Sequence, residues 1–152
     1  HGWEVSGITT LETGRPFNIG VPFDNANVGA RGNFQRPNLV GNPFPKGFNQ
    51  QAGPGGFWFN TAAFEVAPRF TFGNLGRNVL RGPAYHLFDF GVFKNLDLHE
   101  RLRLQFRSEF FNLFNNTNLG GPNGSITTPN FGKVLGTSTL QRQIQFGLKL
   151  IY

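Results

Sequence analysis

The sequence predicts an all-β protein, an antiparallel up-and-down sheet with long loops at one end. Three observations carry that expectation. Four segments alternate apolar and polar residues with a period of two, the mark of strands with different surroundings on their two faces. With 21 Gly and 10 Pro, the chain is poorly suited to long regular helices. The connections between the segments alternate between very short and very long.

The first segment is GWEVSGITTLE, residues 2–12. Trp3, Val5, Gly7, Thr9 and Leu11 share one side, and Glu4, Ser6, Ile8 and Thr10 the other. Its alternation is the weakest of the four. In the second, AYHLFDFGVFKNL (84–96), His86, Phe88, Phe90 and Val92 oppose Tyr85, Leu87, Asp89 and Gly91. In the third, RLRLQFRSEFF (101–111), Leu102, Leu104, Phe106, Ser108 and Phe110 oppose Arg101, Arg103, Gln105, Arg107 and Glu109. A helix at this point would scatter the charges around its cylinder, so the strict alternation favours a strand. The last segment is QRQIQFGLKLIY (141–152). Ile144, Phe146, Leu148, Leu150 and Tyr152 alternate there with Gln143, Gln145, Gly147, Lys149 and Ile151.

Length and polarity set the surroundings. Ten extended residues span about 33 Å. Tilted by about 45°, they cross the ~25 Å apolar band of an outer-membrane β-barrel. A strand in a soluble sandwich usually has only about five to six residues. One amphipathic strand fits a soluble core equally well. Two that each pair an apolar face with Arg, Gln, Lys or Glu point to lipid outside and a polar, watery lumen inside. Arg101, Arg103, Gln105, Arg107 and Glu109 are therefore expected to face the lumen, mostly as a structural charge ladder. Between the second and third strands lies only DLHE (97–100), expected as a tight periplasmic turn. Residues 13–83 and 112–139 are expected as long outer loops, in keeping with the asymmetry of membrane barrels. The first of these contains GRP, RPN, NPFP and GPGG, which favour turns over ladders. It also carries too many phenylalanines for a disordered linker. A compact assembly, packed on itself and over a barrel mouth, is expected.

Composition excludes several functions. The chain has no Cys, so it holds no disulfide, cysteine metal site or cysteine nucleophile. No apolar run reaches the ~18 residues of a membrane helix, which leaves a membrane β-barrel open. The net charge of +6 is spread along the chain, without a basic arm for nucleic acid. His1, His86 and His99 lie far apart, and Asp97, His99 and Glu100 read as a solvated turn rather than a metal site. GNLGRN lacks the lysine and the strand-to-helix setting of a phosphate loop, and no serine sits in a nucleophile elbow. No catalytic residue, metal or cofactor is expected, and neither is an enzyme. The chain opens on His1 within a strand-like stretch, so it is expected to be part of a longer protein.

Taken together, GWEVSGITTLETGRPF (2–17), RPNLVGNP (36–43), FWFNTAAF (57–64), FGNLGRNVLRGP (72–83), FDFGVFKNL (88–96), RLRLQFRSEFFNLFN (101–115), PNFGKVLG (129–136) and RQIQFGLKLIY (142–152) resemble the C-terminal end of TonB-dependent outer-membrane receptors, most of all their Oar-like group. The resemblance implies a plugged barrel of about 22 strands in the bacterial outer membrane. This chain would supply its last strands and their outer loops. It further implies partners: outer-membrane lipid and lipopolysaccharide, the barrel-assembly machinery, and a TonB-type energy-coupling protein acting through the N-terminal part. Ile144, Phe146, Leu148, Leu150 and Tyr152 would be the terminal signal that the assembly machinery reads by strand addition. In the outer loops, Arg31, Arg36, Arg69, Arg77 and Arg81 would meet an anionic ligand or lipopolysaccharide phosphates, and Trp58 would stack on a sugar or aromatic ring. The blander account has these arginines solvated or tying the loop to itself. Energy-coupled uptake of a ligand is the leading expectation. A surface-binding or adhesion barrel and a soluble carbohydrate-binding β-domain are the alternatives, and folding as a monomer without detergent would mark the last.

Overall fold

The computed structural model describes residues 2–29, 35–100 and 102–152. Its elements in chain order are β1 (Trp3–Glu12), β2 (Pro16–Phe17), β3 (Asn38–Leu39), a 3₁₀ turn (Thr61–Ala63), β4 (Phe64–Glu65), β5 (Leu80–Arg81), β6 (Tyr85–His99), β7 (Leu102–Phe111) and β8 (Gln143–Ile151). They fall into two compact units. The sheet unit comprises the chain up to Glu12, Ala84–Asn118 and Thr139–Tyr152, and the loop unit comprises Thr13–Pro83 and Leu119–Ser138.

The sheet unit is a four-stranded antiparallel sheet in the order β1-β6-β7-β8, each long strand pairing with the next in the chain. Its register joins the apolar faces of all four strands. Val5, Val92, Ser108 and Phe146 form one row across the sheet, and Gly7, Phe90, Phe110 and Ile144 the next. On the other face run the rows Glu4–Phe93–Arg107–Gly147 and Ser6–Gly91–Glu109–Gln145. A slip of one residue would exchange the two faces along a whole strand, so this alternation specifies the pairing. A Cβ added at Gly91 would come within 2.8 Å of the Ser6 hydroxyl and 3.0 Å of the Phe93 ring. A side chain there would have to displace both.

One strand runs further than its alternation suggests. β6 continues past Leu96 to His99, and the turn begins only at Glu100. Asp97 and His99 are therefore strand residues, not turn residues. Asp97 lies opposite Arg103 and accepts a 2.6 Å hydrogen bond from its Nε. This cross-strand ion pair extends the ladder, and a bulge between Asp97 and His99 absorbs the change in register.

Asparagines secure the far end of the sheet. Asn112, at φ +53°, turns the chain off β7. Its N–H donates to the Asp89 carboxylate, and its side-chain amide donates to the carbonyls of Asn116 and Leu140. Asn118 pairs with His86 much as a backbone would. Its side-chain oxygen accepts from the His86 N–H at 2.7 Å, and its amide donates to the His86 carbonyl at 2.8 Å. These bonds explain why residues 112–118, expected as the start of a loop, belong to the sheet unit instead.

The loop unit has its own core, built from Ile19, Phe59, Ala63, Phe64, Leu75, Leu80 and Phe131. Phe59 is fully buried and is the hub. Its ring lies 5.9 Å from Phe17, 5.4 Å from Phe64 and 5.3 Å from Phe131, the last two edge-to-face. Two short ladders, β2 with β5 and β3 with β4, tie distant parts of residues 13–83 together. Residues from the second long connection join them, with Gly20 N–H donating to the Gly124 carbonyl and Trp58 N–H to that of Gly132.

Asp24 closes a turn in this unit. Its carboxylate accepts from the N–H groups of Val28 and Gly29 and from the Gln35 side chain. Desolvation pushes its pKa up, but the hydrogen bonds from Val28, Gly29, Gln35 and Asn27 outweigh it and hold the carboxyl below its ordinary value. A folded value below the unfolded one, about 3.9, gives stability that is present above that pH and lost as the pH falls through the folded value. Hydrogen exchange at the Val28 and Gly29 amides is expected to lose protection as the pH falls below the ordinary carboxyl value of about 3.9. Asp24→Asn is expected to lack that dependence.

Candidate functional site

Turns and side-chain hydrogen bonds build a groove of about 420 Å³ in the loop unit, lined by Phe44, Pro45, Phe48, Gln50, Trp58, Arg81 and Gly82. Within the lining the Phe44 N–H donates to the Asn42 side chain and the Phe48 N–H to the Pro45 carbonyl, both at 2.9 Å. The Pro-containing turn thereby carries two aromatic residues of the lining. Trp58 also lines the groove, half-buried against the aromatic core. Its indole N–H donates to the Arg81 carbonyl at 2.9 Å, and the Gln50 amide donates to the Trp58 carbonyl at 3.1 Å. The Arg81 guanidinium donates to the Gly14 carbonyl at 3.1 Å through one of its amino groups. Arg81 is paired with Pro16 in the β2–β5 ladder, which fixes its backbone.

Of the six loop residues singled out in the sequence, the structure brings Trp58 and Arg81 together at this groove. Arg36 is half-buried, outside the groove lining. Arg69 is exposed and lies over the Phe70 ring at 6.0 Å, and Arg77 is exposed. Arg31 falls outside the described residues. Phe44, Phe48 and Gln50 were not among the sequence candidates. Their signal was present in NPFPKGFNQ, where two phenylalanines flank a Pro-Lys-Gly turn, but nothing local ties that turn to Trp58.

The polar face of the sheet is the second candidate region. Arg103 pairs with Asp97, Gln105 donates to Asn95 at 2.9 Å, and Arg107 donates to Glu109 at 2.9 Å while lying 5.2 Å from the Phe93 ring centroid. Arg107, Glu109 and Gln105 share this face with Gln145 and Lys149 of β8. Among the described residues, the buried Nε of Arg107 finds no acceptor. Arg101 lies outside the described residues. Among the described residues, Arg103, Gln105, Arg107 and Glu109 are thus tied into short-range pairs.

The apolar face is left uncovered. Trp3, Val5, Leu11, Phe106, Ile144, Phe146, Leu148 and Leu150 are all exposed on it. Tyr152 follows β8 and is 96% exposed. A soluble monomer rarely displays so large a contiguous apolar surface. A family model described as an outer membrane beta barrel domain matches residues 1–145.

The chain belongs to the outer membrane β-barrel domain family.

No curated protein and no solved structure matches it. The barrel domain resides in the bacterial outer membrane. Strands of such barrels turn one face to lipid and the other inward. The rows of Val, Leu, Ile and Phe form the face that hydrocarbon accepts. The face of Arg, Gln, Glu and Lys would carry a heavy desolvation cost there.

Proposed function

We propose that the barrel domain is part of a TonB-dependent receptor of the Oar-like group. In this reading the outer loops capture a ligand and the complete barrel passes it inward in an energy-coupled step. The observation that carries the reading is the loop unit. The two long connections do not stay bare but form a unit with its own aromatic core and a groove. A barrel that only let small solutes diffuse would gain little from such an investment. The sequence phrases that resemble these receptors supply the rest.

The parts then take distinct roles. Arg103, Gln105, Arg107 and Glu109 line the lumen, and their pairs with Asp97, with Asn95 and between Arg107 and Glu109 keep the wall ordered against the plug. Arg101 joins them. Ile144, Phe146, Leu148, Leu150 and Tyr152 are presented to the barrel-assembly machinery as an unpaired edge strand. Arg31, Arg36, Arg69 and Arg77 contact lipopolysaccharide, while a TonB-type protein supplies energy from the periplasm. The ligand is moved without chemical change, so no catalytic group is required.

The test is growth of cells with and without the gene on a panel of scarce nutrients, including chelated iron, corrinoids and oligosaccharides. A nutrient-specific defect should appear on deletion of the gene and be reproduced by deletion of the energy-coupling protein. A defect in surface attachment, with uptake of every nutrient intact, would replace transport by adhesion.

A further inference from the structure

From the chemistry of the groove, we infer that it binds a soluble acidic oligosaccharide. The inference deepens the transport reading by naming the class of ligand captured.

Three features point to this class. The lining presents three aromatic rings, those of Phe44, Phe48 and Trp58, together with Pro45. Flat rings lining an open groove suit the C–H faces of pyranose rings, which are apolar in the middle and polar at the rim. The polar groups at that rim are Gln50 and Arg81. Gln50 uses its amide on Trp58, which leaves its side-chain oxygen as an acceptor for hydroxyls. Arg81 engages Gly14 through one terminal nitrogen, and a guanidinium has five N–H donors, so it retains donors for a planar carboxylate.

Charge makes the ligand acidic rather than neutral. Among the described residues, the lining contains one cation and no acidic side chain. A carboxylate on the sugar would pair with the planar guanidinium of Arg81, whose geometry suits a bidentate contact. The volume of about 420 Å³ lies within the range of small-ligand sites, so a short oligosaccharide fits and a folded protein does not. The groove is also pre-organised. Trp58 is held by hydrogen bonds at its ring and its carbonyl, and the Phe44–Phe48 turn by two more. This lowers the ordering cost of binding.

The experiment is isothermal titration of the intact protein in detergent micelles with trigalacturonate and with maltotriose, an uncharged trisaccharide. Trigalacturonate should bind saturably, about tenfold or more tighter than maltotriose, with the preference shrinking at high salt. Arg81→Gln should abolish the preference, and Arg81→Lys should restore part of it. Phe48→Ala, at a groove residue outside the aromatic core, should weaken both sugars by about fivefold or more. Thermal unfolding of each variant guards against misfolding; Phe44→Ala replaces Phe48→Ala, and Arg81→Met replaces Arg81→Gln, where either fails to fold. Absence of saturable trigalacturonate binding, equal affinity for both sugars, or an undiminished preference in Arg81→Gln would each overturn the assignment. Binding is measured without energy coupling. Its failure therefore rejects the acidic-sugar groove alone, while the growth test decides transport.

Discussion

Phe146→Arg is expected to destabilise the folded barrel in a bilayer by about 2–4 kcal/mol, while Gln145→Arg on the same strand is expected to cost little. The two positions are neighbours on β8, and both side chains are exposed. They differ in face. Phe146 stacks on Phe106 with ring centroids 6.2 Å apart, on the side that also carries Leu148 and Leu150. Gln145 lies opposite Glu109 on the polar side. Were the sheet surrounded by water, replacing an exposed phenylalanine with arginine would be neutral or would favour solubility. Only hydrocarbon makes the charge expensive on one face and tolerable on the other. Urea unfolding of the protein folded in vesicles, read by tryptophan fluorescence and by heat-dependent gel mobility, measures the difference. Phe106→Arg should behave like Phe146→Arg, because its row on β7 is continuous with that face.

Phe59→Ala should open the loop unit, at a cost of about 3–5 kcal/mol. Phe59 has no exposed surface, and its removal would leave a cavity among Phe17, Phe64 and Phe131. Those rings come from parts of the chain far apart in sequence, so no single turn can close over the gap. Limited proteolysis should therefore cut within residues 13–83 and 119–138 far faster in the variant. Phe57→Ala supplies the contrast. Phe57 is 40% exposed and keeps one cation–π contact, to Lys133 at 5.7 Å. Its loss should cost no more than about 1 kcal/mol. Equal protease sensitivity of the two variants would contradict a core centred on Phe59.

The sheet was legible in the sequence because strand periodicity is local. Each alternating run carried its own two faces, and the register only had to bring like faces together. Thus the expected partition of Leu104, Phe106 and Phe110 from Arg103, Gln105, Arg107 and Glu109 is the partition seen across β7. The end of β6 was less legible. DLHE has the composition of a turn, and only the cross-strand partner Arg103 makes Asp97 a strand residue. The loop unit was legible in kind but not in detail. Its aromatic content announced packing, and its Pro and Gly announced turns. Which phenylalanine would be the hub depends on contacts between Phe17, Phe59, Phe64 and Phe131, which no local pattern encodes. The same holds for the groove. Trp58 and Arg81 were visible as isolated candidates, whereas the hydrogen bond that joins them spans 23 residues. The asparagines were visible only as a loop-rich composition, although Asn112 and Asn118 fasten the sheet.

The central claim is that hydrocarbon touches one face of the long strands and water the other. Nitroxide labels placed singly at Phe106, Phe146, Gln105 and Gln145, in the protein folded in bilayers, test it most directly. Labels at Phe106 and Phe146 should be relaxed strongly by oxygen dissolved in the lipid and weakly by a water-soluble nickel chelate, with the reverse order at Gln105 and Gln145. Labels at Phe106 and Phe146 that are shielded from both agents would place that face in a protein core and contradict the membrane assignment.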